Sequence, residues 1–128
     1  MNYIKSFSQL MNESSFVGKS ELQRIIRTTF SDSLEKLFIF QNSNYIEINM
    51  IRINPHMKNK GIGTKIMQDI IEYADSGNYI LHLTPSDVFG SDVKRLTKFY
   101  KSFGFVMNSG KNKDFHTKDK MIRYPNKI

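Results

Sequence analysis

The sequence predicts an α/β (α+β) domain, in which helices flank a central mixed β-sheet. Two observations support this prediction. Apolar segments with the period of strands alternate with segments of helical period, and turn residues separate them. Hydrophobic residues make up 39% and aromatic residues 12% of the 128 residues, which suffices for one buried core. We expect a single domain over residues 1–128, with short helices over 1–35 and the sheet-containing core over 36–128.

The N-terminal half contains two helical segments followed by a hairpin. Residues 3–11 carry an apolar stripe at helical spacing, and a second helix begins near Ser20. Leu37–Phe40 is a dense apolar run that indicates a strand. A polar turn then leads to a longer strand over Tyr45–Ile53, so the two strands predict a β-hairpin. Simple alternation places four side chains on one face of the second strand: Glu47, Asn49, Ile51 and Ile53.

The C-terminal half begins after Pro55, which ends the hairpin because proline lacks the N–H that a strand ladder needs. The predicted elements are a helix over Thr64–Asp75, a strand over Tyr79–Leu83, a helix over Asp92–Ser102, and short strands over Phe105–Met107 and Met121–Tyr124. A charged segment over 108–120 joins the last two strands. The resulting order, β-β-loop-α-β-α-β-β, is the basis of the predicted fold class.

Charge and composition exclude several classes of function. Nineteen Lys and Arg against twelve Asp and Glu give a net charge of +7, which favours a partner that carries phosphates, such as a coenzyme, a nucleotide or a nucleic acid. The absence of cysteine excludes disulfides, thiolate zinc sites and thiol nucleophiles. The three histidines lack metal-ligand spacing, so no metal is expected. The apolar runs are too short for a membrane span or a signal peptide, and we expect a cytoplasmic protein.

The most informative segment is the loop over 53–64, which joins a strand to a helix and contains Gly61 and Gly63. Glycines let the backbone approach a ligand closely, and a helix N-terminus supplies free N–H groups and a positive dipole for a pyrophosphate. A dinucleotide fingerprint fails because its third glycine would be Ile66. The pattern Lys58-x-x-Gly61-x-Gly63 instead fits an Arg/Gln-x-x-Gly-x-Gly/Ala phosphate loop, with Lys in the first place. The alternative is that the glycines only form a strand-to-helix turn.

Together with a second motif, this loop makes the sequence resemble the GNAT superfamily of acetyl-coenzyme A (acetyl-CoA)-dependent N-acetyltransferases, as a minimal single-domain member. The second motif is Phe99-Tyr100-Lys101-Ser102-Phe103-Gly104-Phe105, which matches the family's Phe-Tyr-x-x-x-Gly-Phe pattern. Asn54-Pro55 before the loop and Thr84-Pro85 after the next strand lie where the family has them. The resemblance covers about Tyr45 to Phe105 and implies a mostly antiparallel sheet that is splayed at the acetyl-CoA site.

The resemblance implies a set of residues that bind acetyl-CoA, and no metal. The backbone amides of the loop would hold the pyrophosphate, and the N–H of Ile53 would hold the thioester carbonyl. Lys58 stands where the family usually has Arg or Gln, which keeps the hydrogen-bond donors and the charge. The residues implied are Ile51, Ile53, Lys58, Asn59, Lys60, Gly61, Ile62, Gly63 and Thr64.

The resemblance also implies two catalytic residues for direct attack of an amine on the thioester. Tyr100 matches the family's tyrosine, the acid that protonates the leaving thiolate, and the alternative is a tyrosine that only packs in the core. Glu47 is the expected base, since some histone-acetylating members have a glutamate at this spacing, and the alternative is a surface glutamate paired with a lysine. Asn49 could instead position a water, and His82 is a further candidate base.

The resemblance does not extend to the acceptor site, because the N-terminal half that normally builds it is short and matches the family poorly. A minimal chain with an open groove favours a protein lysine or N-terminus as acceptor over a small molecule. Position 93 is Val where the family often has Asn, so one expected coenzyme contact is missing.

Two other classes of function compete with the enzyme. One is an acetyl-CoA-binding sensor or interaction module without turnover. The other is a basic nucleic-acid-binding domain, which is disfavoured because the sequence lacks interleaved aromatic and basic residues. The Lys-, Asn- and Ile-rich composition suits a phage or low-GC bacterial genome, and a phage protein would act in the host cytoplasm. We expect a monomer or a homodimer.

Overall fold

The computed structural model describes residues 20–86 and 92–126. The α-helices of this part of the chain are α1 (Glu21–Thr29), α2 (Ile62–Gly77) and α3 (Val93–Lys101), and its strands are β1 (Leu34–Gln41), β2 (Tyr45–Ile53), β3 (Ile80–Leu83), β4 (Val106–Met107) and β5 (Met121–Arg123). The elements predicted from Ser20 onward are therefore confirmed. The helix predicted over residues 3–11 lies outside the described residues. None of the described helices is long and apolar enough to cross a membrane.

The five strands form one mixed sheet in the order β1-β2-β3-β5-β4. β2 runs antiparallel to β1 and parallel to β3, while β5 runs antiparallel to both β3 and β4. A parallel pair requires a crossover, and α2 supplies it between β2 and β3. The predicted fold class, a mixed and mostly antiparallel sheet flanked by helices, is confirmed.

One face of the sheet is buried together with apolar stripes of α1 and α2. The spacing of the buried residues on α2 is helical, which is why this helix packs along its length. The fully or nearly buried residues of this core are Leu22, Ile26, Leu37, Ile39, Ile46, Ile48, Ile66, Met67, Ile70, Ala74, Leu81, Leu83, Phe105 and Met121. Phe99 and Tyr100 of α3, and Phe103 just after it, pack against the same core. Val93, the first residue of α3, is exposed.

A β-bulge at Asn49 changes which side chains of β2 face the core. On β1, Leu37 and Ile39 are both fully buried on the same face, because they are two residues apart. Leu37 lies opposite Ile51, but Ile39 lies opposite Ile48. Opposite residues share a face, so two steps along β1 match three steps along β2, and Asn49 is the extra residue. Ile48 and Ile51 therefore both face the core.

This bulge corrects one expectation from the sequence. Glu47 precedes the bulge and points away from the core, whereas Ile51 and Ile53 follow it and pack against the core. The expectation that these side chains share a face is wrong, because simple alternation fails where a strand carries an extra residue. The face that carries Glu47 also carries Tyr45 of β2 and His82 of β3, which lies directly opposite Glu47.

A bidentate ion pair fastens β5 to α2. The side chain of Arg123 is only 5% exposed, and it donates to the two carboxylate oxygens of Asp75 at 2.8 and 3.2 Å. Its Nε also donates to the carbonyl of Phe103 at 2.8 Å. The hydrogen bonds from Arg123 hold the pKa of Asp75 below its usual range. This pair therefore stabilises the packing of the last strand on the helix.

Candidate active site

β2 and β3 are paired only at one end, which leaves a gap between them at the other. Their pairing runs from Tyr45 opposite Ile80 to Ile48 opposite Leu83, where β3 ends, while β2 continues to Ile53. Pro85 follows β3 closely, and proline cannot extend a strand ladder. Among the described strands, residues 49–53 of β2 therefore have β1 on one side and no partner on the other. The sheet is splayed at this point, as the resemblance implies.

Two backbone N–H groups of β2 point into this gap. Asn54, just after the strand, donates its N–H to the carbonyl of Ser33 at 2.7 Å, on the side of β1. Successive residues of a strand direct their N–H groups to opposite edges. The N–H groups of Ile53 and Ile51 are therefore directed away from β1 and toward the gap. They are available as hydrogen-bond donors to a ligand that lies there.

The loop before α2 presents a run of unpaired backbone donors. The N–H groups of residues 59–64 make no hydrogen bond within the described part of the chain, and the first helical bond runs from the N–H of Lys65 to the carbonyl of Gly61. Gly61 has φ 76° and ψ 11°, a left-handed conformation that glycine adopts without strain. Lys58 and Lys60 are exposed beside these amides. Free amides at a helix N-terminus, with two lysines nearby, suit a phosphate group.

Gly63 lies where the loop, β2 and α3 meet. A Cβ atom at Gly63 would lie 3.6 Å from Cδ1 of Ile53 and 3.9 Å from Cζ of Phe99, which is ordinary van der Waals distance. Unlike Gly61, Gly63 does not have a left-handed backbone. The structure thus brings the loop, the end of β2 and the helix that carries Tyr100 to one place.

Tyr100 is half-buried on α3. Its ring contacts the rings of Phe99 and Phe105 edge-on, with centroid distances of 5.4 and 5.8 Å. Burial raises the pKa of the Tyr100 hydroxyl, so the group stays protonated at neutral and moderately alkaline pH. The hydroxyl makes no hydrogen bond to any other described residue, and its proton is available to a ligand.

A cleft of about 1060 Å³ lies on the face of the sheet opposite the core, and Glu47 is part of its wall. Its lining includes Phe40, Tyr45, Glu47, His82, His116 and Tyr124. Oε2 of Glu47 accepts a hydrogen bond from Nδ2 of Asn49 at 3.2 Å. Glu47 forms no ion pair within residues 20–86 and 92–126, so the alternative of a glutamate paired with a lysine finds no support there.

The connection between β4 and β5, expected from its sequence as a charged linker, is an ordered part of this region. Asn108 is buried, and its side-chain amide donates to the carbonyls of Asp114, Thr117 and Asp119 at 2.9–3.3 Å. This amide holds the connection in a compact loop and brings a carboxylate oxygen of Asp119 to 2.6 Å from Nδ1 of His82. No sequence pattern identifies Asp119 as a site residue, because it lies 37 residues from His82 and no local motif joins the two.

The residues singled out from the sequence thus lie in two groups. The first group lies around the gap and consists of Ile51, Ile53 and the loop over 58–64. Tyr100 belongs to this group, because its neighbour Phe99 on α3 lies close to Gly63 of the loop. Glu47 lies in the cleft on the other face, and six residues separate it from Ile53. At about 3.3 Å per residue, that separation is nearly 20 Å along the strand. The gap therefore lies at the C-terminal end of β2 and the cleft at its N-terminal end, with the bulge between them.

The chain belongs to the GNAT acetyltransferase family. A model described as the acetyltransferase (GNAT) family matches residues 9–105, a range that includes the glycine loop and Tyr100. The resemblance drawn from the motifs is confirmed. Members of this family use acetyl-CoA as cosubstrate and an amine as acceptor.

Two solved structures are similar to this chain. A protein from Bacteroides thetaiotaomicron, described as an acetyltransferase of the GNAT family, superposes with a TM-score of 0.51 at 16% identity, over 70% of this chain and 53% of that one. The present chain therefore spans about half the length of that protein. Ard1 from Thermoplasma volcanium superposes with a TM-score of 0.49 at 15% identity, over 91% of this chain and 86% of that one. No curated protein matches the sequence. The first of these similarities supports the fold.

Proposed function

We propose that this protein transfers the acetyl group of acetyl-CoA to a primary amine, by direct attack of the amine nitrogen on the thioester carbon. The observation that carries the proposal is the gap between β2 and β3, which lies beside the free amides of residues 59–64. These amides, with Lys58 and Lys60, would hold the pyrophosphate. Gly63 connects this phosphate site to Ile53 at the open end of the gap, where the acyl arm would enter.

The direction of the β2 amides supports a choice of oxyanion donor. The family resemblance implies the Ile53 N–H for this role, but Ile53 is nearly 20 Å along the strand from Glu47, at about 3.3 Å per residue. The N–H of Ile51 points the same way and lies about 7 Å closer to Glu47. We therefore propose that the N–H of Ile51 donates to the thioester oxygen, and that the N–H of Ile53 donates to a part of the acyl arm nearer the pyrophosphate. A donor directed at the developing oxyanion lowers the barrier to attack.

The reaction also needs an acid and a base. When the nitrogen–carbon bond forms, the carbon–sulfur bond breaks, and coenzyme A leaves as a thiolate. Tyr100, whose burial keeps it protonated, donates its proton to this sulfur. The ammonium group of the acceptor must lose a proton before it attacks. Two proton acceptors face the cleft from paired positions, Glu47 on β2 and His82 on β3.

The walls of the cleft support a protein amine as the acceptor. Phe40 and Tyr124, which are 45% and 48% exposed, line it together with Tyr45 and Glu47. Aromatic faces and a carboxylate both attract a protonated amine. Because the cleft is open, a lysine or an N-terminus that projects from another protein could enter it. We therefore propose a protein lysine or N-terminus as the acceptor.

Thermal unfolding in the presence of acetyl-CoA tests the proposal, since a ligand that binds the native state raises its stability. We expect acetyl-CoA to raise Tm, and ATP and NAD to have no such effect at equal concentration. Thiol release and mass spectrometry on a panel of lysine peptides, peptides with a free N-terminus and small amines then identify the acceptor. No shift at millimolar acetyl-CoA would contradict the proposal. A shift without thiol release on any amine would favour a sensor without turnover.

A further inference from the structure

His82 and Asp119 form a pair of polar side chains on the wall of the cleft. His82 is buried, and its Nδ1 lies 2.6 Å from Oδ2 of Asp119 and 3.0 Å from Oγ1 of Thr117. The other carboxylate oxygen of Asp119 accepts a hydrogen bond from the hydroxyl of Thr84 at 2.7 Å. The backbone carbonyl of Asp119 accepts from the buried amide of Asn108. The carboxylate therefore has a fixed position and orientation.

These contacts determine which ring nitrogen of His82 is free. An ionised carboxylate can only accept, so the hydrogen bond to Asp119 requires a proton on Nδ1. In the neutral imidazole Nε2 then carries the lone pair. None of the hydrogen bonds among the described residues involves this nitrogen. The ring of Tyr45 packs edge-on against His82 at 5.9 Å and limits its rotation. His82 thus offers an unshared proton acceptor at the cleft.

Several titratable side chains lie around His82. Glu47 faces it from β2, and Asp119 faces it from the connection between β4 and β5. A ring nitrogen of His82, a carboxylate oxygen of Glu47 and a carboxylate oxygen of Asp119 all lie within 4.8 Å of one another. Tyr45 is the other titratable neighbour on β2, and His116 lies beyond it, with ring centroids 5.5 Å apart. The ring is therefore flanked by two carboxylates, one on each neighbouring segment.

We propose that His82 is the base that deprotonates the acceptor amine, and that Asp119 is its positioning residue. This inference rests on the proposed acetyltransferase function. The N–H bond of the ammonium group breaks, the proton passes to Nε2 of His82, and the freed electron pair attacks the thioester carbon. Asp119 remains ionised and keeps the proton of the neutral ring on Nδ1, as the aspartate of a Ser-His-Asp triad does. Glu47 holds the ammonium group by its charge.

The tautomer of His82 can be measured without a substrate. The chain has three histidines, so a long-range ¹H–¹⁵N spectrum of labelled protein separates their rings, and His82→Asn assigns the signal. We expect the neutral His82 ring to carry its proton on Nδ1, with a downfield proton resonance from the hydrogen bond to Asp119. Asp119→Asn should remove that resonance. A wild-type His82 with its proton on Nε2 would overturn the inference, because the lone pair would then be on Nδ1, which faces Asp119 and Thr117.

Kinetics with acetyl-CoA and a lysine peptide test the catalytic role. His82→Asn keeps an N–H donor for Asp119 but removes the base, so kcat/KM should fall by about 100- to 10,000-fold. The variant should also lose the limb of the pH profile along which the wild-type rate rises. Added imidazole should restore part of the activity of His82→Ala, since the side chain lines an open cleft. Asp119→Asn should lower kcat with the KM for acetyl-CoA unchanged.

The outcomes separate this inference from the proposed function. If acetyl-CoA causes no thermal shift, the proposed function fails and the catalytic role of His82 fails with it. If acetyl-CoA binds and the peptide is acetylated, but His82→Asn keeps the wild-type pH profile, only the inference is overturned. A pH-dependent loss of rate confined to Glu47→Gln would then assign the base to Glu47.

Discussion

Replacing Gly61 by alanine tests whether the loop before α2 binds acetyl-CoA, and Gly110→Ala is the matched control. Both glycines have positive φ, 76° and 57°, and a Cβ atom at either would meet nothing within 4 Å. A left-handed L-residue costs about 1–2 kcal/mol, and the reduced entropy of the unfolded chain offsets about 0.4–1 kcal/mol of it. Both variants should therefore lose a similar stability, on the order of 1 kcal/mol or about 3–5 °C in Tm for a chain of this size.

Only Gly61→Ala should also weaken acetyl-CoA binding, because its methyl group would project beside the free amides of residues 59–64. A tenfold weaker affinity corresponds to about 1.4 kcal/mol. With acetyl-CoA in large excess, the stabilisation by ligand falls by the same amount, so the rise in Tm should be about 4–7 °C smaller than in the control. The assay is thermal unfolding of both variants with and without acetyl-CoA. Equal ligand-induced shifts in Gly61→Ala and Gly110→Ala would refute the assignment of the phosphate to this loop.

Three further predictions concern single side chains. Tyr100→Phe keeps the ring but removes the hydroxyl of the proposed acid, so kcat should fall by about 10- to 1,000-fold in a thiol-release assay. The control variant Tyr79→Phe should keep a kcat near that of wild type. An unchanged kcat in Tyr100→Phe would leave Tyr100 with a packing role only. Asp75→Asn breaks the pair with Arg123 and should cost about 3 kcal/mol in urea unfolding at pH 7. Because the folded-state pKa of Asp75 is lowered, the ionised carboxylate stabilises the fold fully above the unfolded pKa of about 3.9, and this stabilisation is lost as pH falls through the lower folded value. The unfolding free energies of wild type and variant should therefore converge in acid. A difference that stays constant with pH would contradict this. Lys58→Ala should weaken acetyl-CoA binding and reduce its dependence on salt, as titrations at two ionic strengths would show, whereas an unchanged salt dependence would place this lysine outside the phosphate site.

Short-range signals in the sequence predicted most of the described elements. The strand expected over Tyr45–Ile53 has those bounds, and the helix expected over Asp92–Ser102 differs from α3 by its two capping residues. The glycine loop was also expected at its observed position, because the residues that end a strand, turn the chain and begin a helix are neighbours in sequence. Hydrophobic period and turn chemistry both act over a few residues, so one sequence suffices to detect them.

The bulge at Asn49 could not be predicted with the same means. Apolar residues alternate over Ile46, Ile48 and Met50 and again over Ile51 and Ile53, so the sequence shows a change of phase, but the adjacent apolar pair does not say which residue is extra. Only the register against Leu37 and Ile39 of β1 identifies Asn49. Asparagine within a strand is at most a weak sign of such an irregularity. The consequence for the site is large, since the bulge puts Glu47 on the opposite face from Ile51.

The sequence by itself determined the fold class, the membership of an acetyltransferase family and the loop proposed to hold the coenzyme, because each depends on a local pattern of residues. Only the tertiary structure decided what surrounds Glu47. The parallel pairing of β2 with β3 places His82 opposite it, and the loop held by Asn108 brings Asp119 to that histidine across 37 residues of sequence. These contacts form between segments that are distant along the chain, and strand register and packing fix them rather than any motif.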